Sequence, residues 1–339
     1  MISCRNILLE DNLDWDKLTE RSKTATFFQT REWLSLWLKH FPGESQTLGI
    51  YENEDLIGVA PLYIRENKVN FLGVSDVLGD NSLSDFGDII AVAGREKEVW
   101  EMVLGVILGT TQSEAWRRTP ESMIRKDSGQ ARMTKVVEFN FIREESPSLG
   151  ILKELGGNVE RIEVSPFIDL PKTWDDYLLS LDRHDRHELR RKIRKGQGEG
   201  IELMEFTGID AEIDLFLKLM AESNEQKRDC LTDEMKMFFK DMINSLWEKK
   251  ILSLTFLKLQ QKAIAAAVTF LFKNEVLLYN SGFDPAFYHL SPGLILKSTL
   301  IKRAIESGKK RFDFLRGGER YKYDLGGMKR NLYKISFTN

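Results

Sequence analysis

The chain has 339 residues, with 49 Lys and Arg against 52 Asp and Glu, for a formal net charge of −3. That length exceeds what one hydrophobic core usually serves, and a composition 42% hydrophobic and 30% charged with 8 Pro excludes disorder as the default. Near-balanced charge argues against a dedicated nucleic-acid binder, whose basic footprint dominates its domain.

Two cysteines, Cys4 and Cys230, read as reduced thiols in a cytosol rather than as a disulfide framework. The opening "MISCRNILLEDNLDWDKL" has no charged start followed by a long apolar run, so no signal peptide is expected. The longest apolar run, "AIAAAVTFLF" at 263–272, is about half of the roughly 20 residues a spanning helix needs and reads as a buried strand. A cytoplasmic protein without a membrane span is expected.

In residues 27–40, "FFQTREWLSLWLKH", Trp33, Leu34, Trp37 and Leu38 recur at helical spacing, with Gln29 and Thr30 as the start. The tryptophans are simplest as core. Three strand-like runs follow, "TLGIYEN", "DLIGVAPLYIRE" and "KVNFLGV". The polar turns Asn53-Glu54-Asp55 and Glu66-Asn67-Lys68 make them an antiparallel meander. A helix is expected over 96–109, a pattern-poor polar stretch over 110–134 and a strand over 135–142.

The second half repeats the plan. "ILSLTFLKL", "AIAAAVTFLF" and "VLLYNSGF" form a second meander, a helix spans 293–308 and ends in Gly308, and "RFDFL" is the next strand. The halves are offset by about 206 residues, matched by element order rather than identity. Pro166 and Pro171 flank a short apolar strand before a helix beginning at Trp174, which puts the domain break near residue 165. The expected architecture is α+β, with domains 1–165 and 166–339, each a mixed, largely antiparallel sheet flanked by helices.

The segments "FFQTREWLSLW", "LIGVAPLYI", "WDDYLLSLDRHDRHELRRKIRK" and "YHLSPGLILKSTLIKRAIESGKKRFDFLRGGERYKYDLG" occur in this order. As a set, the chain resembles bacterial GNAT-like acetyltransferases of the CelD/BcsL cellulose-biosynthesis group. More distantly it resembles the FemABX aminoacyl transferases, which carry two such domains in tandem. The resemblance covers nearly the whole chain, most specifically 174–195 and 279–326. It implies two tandem GNAT-like (acyl-CoA N-acyltransferase) domains, the C-terminal one holding the donor site.

The resemblance also implies an acyltransferase that moves an acetyl or other acyl group from acyl-CoA, with no metal. The acceptor would be an amine or hydroxyl of a polysaccharide or cell-envelope precursor, such as an amino sugar or nucleotide sugar. Two other functions stand beside it. One is aminoacyl-tRNA-dependent transfer to a cell-wall precursor, although no long heptad-patterned insertion for tRNA is present. The other is a non-catalytic binding module working with exopolysaccharide-biosynthesis proteins. Nucleic acid enters only as tRNA in the former.

In the fold so implied, the donor binds where two neighbouring strands part and a helix begins, because unpaired N–H groups and the helix dipole favour a pyrophosphate there. The corresponding stretch is His289, Leu290, Ser291, Pro292, Gly293 and Leu294. Ser291 can cap, Pro292 suits the first turn and Gly293 permits close approach. The stretch has one glycine and a proline where the family carries a glycine-rich turn.

Acyl transfer needs a base and a donor to the oxyanion. Asp284, Asp313 and Glu319 are the carboxylates the fold would present. Asp313 alternates with Phe312 and Phe314, so it faces either the cleft or a structural ion pair. Tyr321 and Tyr279 are candidate acids, and Arg316 and Lys322 candidate phosphate ligands.

His184 and His187 have a metal-compatible spacing, but nothing in the sequence completes a site. "GQGEG" at 196–200 follows a helix and reads as a turn. The segment 183–195 holds seven Lys or Arg. Leu189 and Ile193 share one helix face, bordered by Arg183, Arg186, Arg190 and Arg194. Arg186, Arg190 and Arg194 are either phosphate ligands in an interdomain cleft or a solvated face neutralised by Asp185 and Glu188.

Overall fold

Each expected meander folds into a separate sheet. The computed structural model describes residues 2–9, 13–65, 68–74, 82–109 and 136–337. The expected polar stretch 110–134 and residues Glu66 and Asn67 of the first turn lie outside them. The chain divides into two compact units, Met1–Glu163 with Asn331–Asn339, and Val164–Arg330.

In the first unit, β1 (Ile2–Asn6), β2 (Glu44–Glu52), β3 (Asp55–Arg65) and β4 (Lys68–Phe71) pair antiparallel in sequence. The short β5 (Ile90–Ala91) pairs with β3. The chain then crosses through α3 (Glu96–Ile107) to β6 (Val136–Arg143), which lies parallel to β4. Before the meander come α1 (Leu13–Arg21) and α2 (Arg31–His40). Thr30 caps α2 by accepting from the Trp33 N–H, and Trp33 and Trp37 are buried. The sheet is completed by β14 (Asn331–Phe337) and β7 (Asn158–Val164), in the order β1-β2-β3-β4-β6-β14-β7.

A buried polar node holds the next helix, α4 (Pro147–Glu154), in place. Ser146 and Ser148 each donate to the Asp88 carboxyl at 2.5 Å, and Trp100 Nε1 donates to Ser148 at 2.8 Å. Burial pushes the Asp88 carboxyl up to about 6 against those hydrogen bonds.

The second unit repeats the plan. β9 (Ile201–Glu205), β10 (Leu252–Leu259), β11 (Lys262–Phe272) and β12 (Glu275–Phe283) are antiparallel. The crossover α10 (Pro292–Glu306) leads to β13 (Arg311–Asp313), parallel to β12. β8 (Phe167–Asp169), between Pro166 and Pro171, closes the sheet antiparallel to β13. The order β9-β10-β11-β12-β13-β8 matches that of the first sheet strand for strand up to β14. Both sheets are mixed, largely antiparallel and flanked by helices, the α+β class expected.

The division of the chain differs from a single break. β14, read as part of the C-terminal domain, hydrogen-bonds to β6 instead, Leu332 opposite Arg143, so the last residues belong to the first unit. Its pattern suits a strand in either sheet, and only the pairing decides.

The basic segment forms α6 (Arg183–Gly198), capped by Asp182, after α5 (Trp174–Ser180), capped by Thr173. The "GQGEG" glycines are therefore not all turn. Gly196 and Gly198 are helical, and the chain reverses at Glu199 and Gly200, where φ is +77°. Gly196 is buried because α10 passes close by: a Cβ there would lie 2.8 Å from Ile295 Cδ1.

Residues 207–250, for which no element is expected from the sequence, carry three helices, α7 (Asp210–Ser223), α8 (Glu225–Cys230) and α9 (Asp233–Glu248). α7 packs on β12 at Gly282, where a Cβ would fall 2.3 Å from backbone atoms of Leu219 and Met220. Among the described residues no helix is long and apolar enough to cross a membrane.

Candidate active site

β12 and β13 pair over three positions only, from Glu275 opposite Arg311 to Leu277 opposite Asp313. β13 then stops while β12 runs on to Phe283, still paired with β11 on its other edge. The sheet thus opens along the last half of β12. Lys227 of α8 reaches this stretch and donates to Asn280 Oδ1 and to the Ser281 carbonyl, each at 2.8 Å.

From Phe283 the chain makes a short 3₁₀ segment, Pro285–Leu290, and enters α10. Ser291 does not cap α10 with its side chain as expected. It adopts a left-handed conformation, φ 55° and ψ 49°, and serves the helix through its carbonyl, which accepts from Leu294 and Ile295. Pro292 occupies the first helical position, as expected.

A cavity of about 550 Å³, within the usual small-molecule range, opens on this helix start. All its lining residues belong to the second unit. Ser291, Pro292, Gly293, Leu294 and Lys297 form one wall. The opposing wall is α6, through His184, Asp185, Glu188, Leu189 and Lys192. A third comes from α11 (Arg320–Asp324), through Arg320, Tyr321 and Asp324. The buried Tyr177 donates its hydroxyl to the Leu325 carbonyl and so fixes the end of α11 to α5.

Charge in the cavity is mixed. Glu188 accepts both Arg191 bonds, at 2.7 and 2.8 Å, and this guanidinium holds its carboxyl down to about 2. Asp324 pairs with Arg320 at 3.0 Å. Lys297 is the buried cation. Desolvation, with the nearby Lys227 and Lys322 charges, lowers its amine to about 7 against the opposing pull of Glu319. Its Nζ sits 4.4 Å from the centre of the Tyr321 ring, and burial keeps that phenol protonated well above its usual range.

Of the expected site residues, the structure brings Ser291, Pro292, Gly293, Leu294 and Tyr321 to the cavity. The others lie elsewhere. Asp313 is fully buried, paired with Arg330 at 2.6 Å, accepting from the Leu315 N–H and from Ser165. Its neighbours Phe312 and Phe314 are core, but the opposite face is covered too, so the structural ion pair is the reading that holds.

Asp284 caps the 3₁₀ segment and pairs with Lys262 at 2.7 Å. Glu319 pairs with Lys322 at 2.9 Å. Lys322 is not disposed toward a phosphate: its ammonium is buried on the carbonyls of Leu315, Arg316 and Gly317. These bonds stabilise a tight loop in which Leu315 has φ +59°. Arg316 gives its carbonyl to Lys322 and does not line the cavity.

Tyr279 packs against Phe270 and Phe239, away from the cavity. His289 is exposed and gives its carbonyl to Lys195, while Leu290 is core. Arg186 donates to the carbonyls of Leu179 and Leu181, and Arg190 and Arg194 are exposed. The cavity face of α6 is thus the His184, Asp185, Glu188, Leu189, Lys192 face, not the arginine stripe. Among the described residues no group of three or more His, Cys, Asp or Glu could hold a metal.

The sequence reading missed Lys297 and Lys227. Lys297 has a signal in hindsight: it falls at i+4 from Gly293, between the apolar Ile295, Leu296, Leu300 and Ile301, on a helix with a wide buried face. Lys227 has none, because its burial depends on where α8 docks.

Residues 183–323 match the family described as acetyltransferase (GNAT) domain. That span runs from α6 into α11 and includes every lining residue of the cavity except Asp324 and Leu325. The whole chain is similar in structure to FemX, with 12% identity, a TM-score of 0.68 and coverage of 99% of this chain and 97% of that one. It is also similar to L-PGS from Bacillus licheniformis, at 10% identity and TM-score 0.55 over 96% and 91% of the two chains. A third similar structure is a tandem GNAT protein from the clavulanic acid biosynthesis pathway, at 8% identity and TM-score 0.50 over 100% and 98%. The comparison with curated proteins returns no match. The chain therefore has a GNAT-like acyltransferase fold in tandem form, with the family match in its second unit.

Proposed function

We propose that the second unit is an acyltransferase, moving an acetyl or other acyl group from a coenzyme A thioester to an amine or hydroxyl. A polysaccharide or cell-envelope precursor, such as an amino sugar or nucleotide sugar, is the acceptor class we favour. The observation that carries the reading is the cavity at the first turn of α10, beside the opened edge of β12. A donor there meets a helix N-terminus that favours anions, with Gly293 allowing close approach of the backbone. The Tyr321 phenol, which burial keeps protonated, is suited to donate a hydrogen bond to the oxyanion that forms on the acyl carbon.

A second reading, transfer from aminoacyl-tRNA, is favoured by two observations. The likeness to FemX extends over both units. In the cavity Asp185, Glu188 and Asp324 offset Lys192, Lys297 and Arg320, which leaves no excess of positive charge for a polyphosphate, and its helix begins with a left-handed Ser291 and a proline rather than a glycine-rich turn.

Thermal unfolding with acetyl-CoA, with bulk aminoacyl-tRNA and with neither ranks the donors. A ligand at a hundred times its Kd stabilises by about 2.7 kcal/mol. A shift with acetyl-CoA alone supports the first reading, and one with aminoacyl-tRNA alone the second. No shift with either supports a non-catalytic binding module.

A further inference from the structure

Three lysines, Lys227, Lys297 and Lys322, lie within electrostatic reach of one another and of Glu319. They differ in what their amines do. Lys322 donates to three backbone carbonyls and to Glu319, and Lys227 to Asn280 and Ser281. Neither lines the cavity. Lys297 does, from a buried position, and among the described residues its amine makes one long hydrogen bond, 3.4 Å to the Gly293 carbonyl.

An ammonium has three N–H donors. At Lys297 two of them would be left in a desolvated wall beside two other cations, with the Tyr321 ring face as their partner. A neutral amine needs less: it keeps the Gly293 bond and aims a lone pair into the cavity. The other candidate bases of the cavity are paired or exposed. Glu188 and Asp324 are held by Arg191 and Arg320, and Asp185 faces the Arg320 charge. Lys192 is paired with Glu188, and His184 sits exposed at the start of α6.

We propose that the Lys297 amine is the proton acceptor for the attacking group of the acyl acceptor. The proposal rests on the acyl-transfer reading. As the acceptor nitrogen or oxygen bonds to the acyl carbon, its proton passes to Lys297 Nζ and the carbonyl electrons move to oxygen. Collapse breaks the bond to the thiolate or ester oxygen. That leaving group takes the proton back from the Lys297 ammonium, so the amine ends neutral and no further reactant is needed. The cationic pair Lys227 and Lys322 behind it disfavours a resting ammonium, and the same desolvation that does so lowers its basicity into the range useful near pH 7.

The test combines a titration with kinetics on the full chain. Protein labelled with [ε-¹³C]lysine is titrated by NMR, with Lys297→Met to assign the resonance. One lysine, absent from the variant, should titrate near 7, and a Lys297 midpoint near 10 overturns the proposal.

Transfer is then measured from acetyl-CoA, and from aminoacyl-tRNA, to a panel of amino sugars. Wild-type kcat/KM should rise with slope one through pH 7. Lys297→Met and Lys297→Arg should each lose about 100-fold or more in kcat, with donor affinity within about twofold. Transfer that Lys297→Arg retains shows that a fixed positive charge suffices, and overturns the Lys297 proposal alone. A variant that weakens donor binding with kcat intact overturns it as well. A wild type that transfers from neither donor overturns the acyl-transfer reading beneath it.

Discussion

The Lys297 amine lies 4.4 Å from the ring centre of Tyr321, so that side chains from α10 and α11 meet where two walls of the cavity adjoin. The ring covers the amine, and the phenol oxygen is a separate chemical handle. Tyr321→Phe separates the two. It keeps the ring against Lys297 and Phe314 and removes only the hydroxyl. We expect the Lys297 titration unchanged, donor affinity within about twofold and kcat lowered about 10- to 100-fold if the phenol donates a hydrogen bond to the oxyanion. Steady-state kinetics beside the NMR titration decides it. Unchanged kcat would remove Tyr321 from the chemistry.

Stability should depend on pH above neutrality. Lys297 and Lys227 have folded-state values of about 7 and 8, below the ~10.4 of an exposed lysine. Between those limits the unfolded chain binds more protons, so stability rises as pH rises, by up to about 1.4 kcal/mol per pH unit from each group. Below the folded value both states are protonated, and the full penalty of a buried charge is present. Lys297→Met should therefore be more stable than wild type near pH 6 to 7, the difference shrinking toward pH 10. Urea denaturation at pH 6, 8 and 10 reads this directly. Equal pH dependence in the two proteins would mean that the Lys297 amine is solvated.

Elements with a strong period were legible in the sequence. Both meanders, the crossover helices and their parallel strands follow from apolar runs between polar turns, and the repeat was visible in their order. What failed depends on long-range choice. β14 has a pattern that either sheet accepts, and hydrogen bonding to β6 settles it. At the site, Ser291, Pro292, Gly293 and Leu294 were readable because backbone chemistry is local. Of the polar candidates for acid, base and phosphate ligand, Tyr321 reaches the cavity and the others do not, because a sequence shows neither Arg330 beneath Asp313 nor the carbonyls around Lys322. Buried lysines run against composition rules, so Lys297 carried no weight until its neighbours were in place.

Asp313 and Arg330 test the structural reading of an expected catalytic carboxylate. Both side chains are almost fully buried, and Ser165 bonds to each. Asp313→Ala strands a buried guanidinium and should cost about 3–5 kcal/mol. The double variant Asp313→Leu with Arg330→Met removes both charges and should recover a large part of that loss. Chemical denaturation of the single and double variants gives the comparison. Stability retained in Asp313→Ala, with transfer lost, would return Asp313 to the catalytic group.

Arg190 and Arg194 test which face of α6 meets a ligand. Both are exposed, whereas Glu188, Leu189 and Lys192 line the cavity. Among the described residues neither arginine makes an ion pair with the cavity wall, so replacing both with alanine breaks none and opens no core. Stability should change by less than about 0.5 kcal/mol per site. Affinity for acetyl-CoA bound at the start of α10 should stay within about twofold, apart from a small salt-dependent decrease from lost long-range attraction. Calorimetric titration at low and moderate salt separates these effects. A salt-resistant loss of tenfold or more would mean that the donor phosphates lie along the arginine stripe, on the other side of the helix from the cavity.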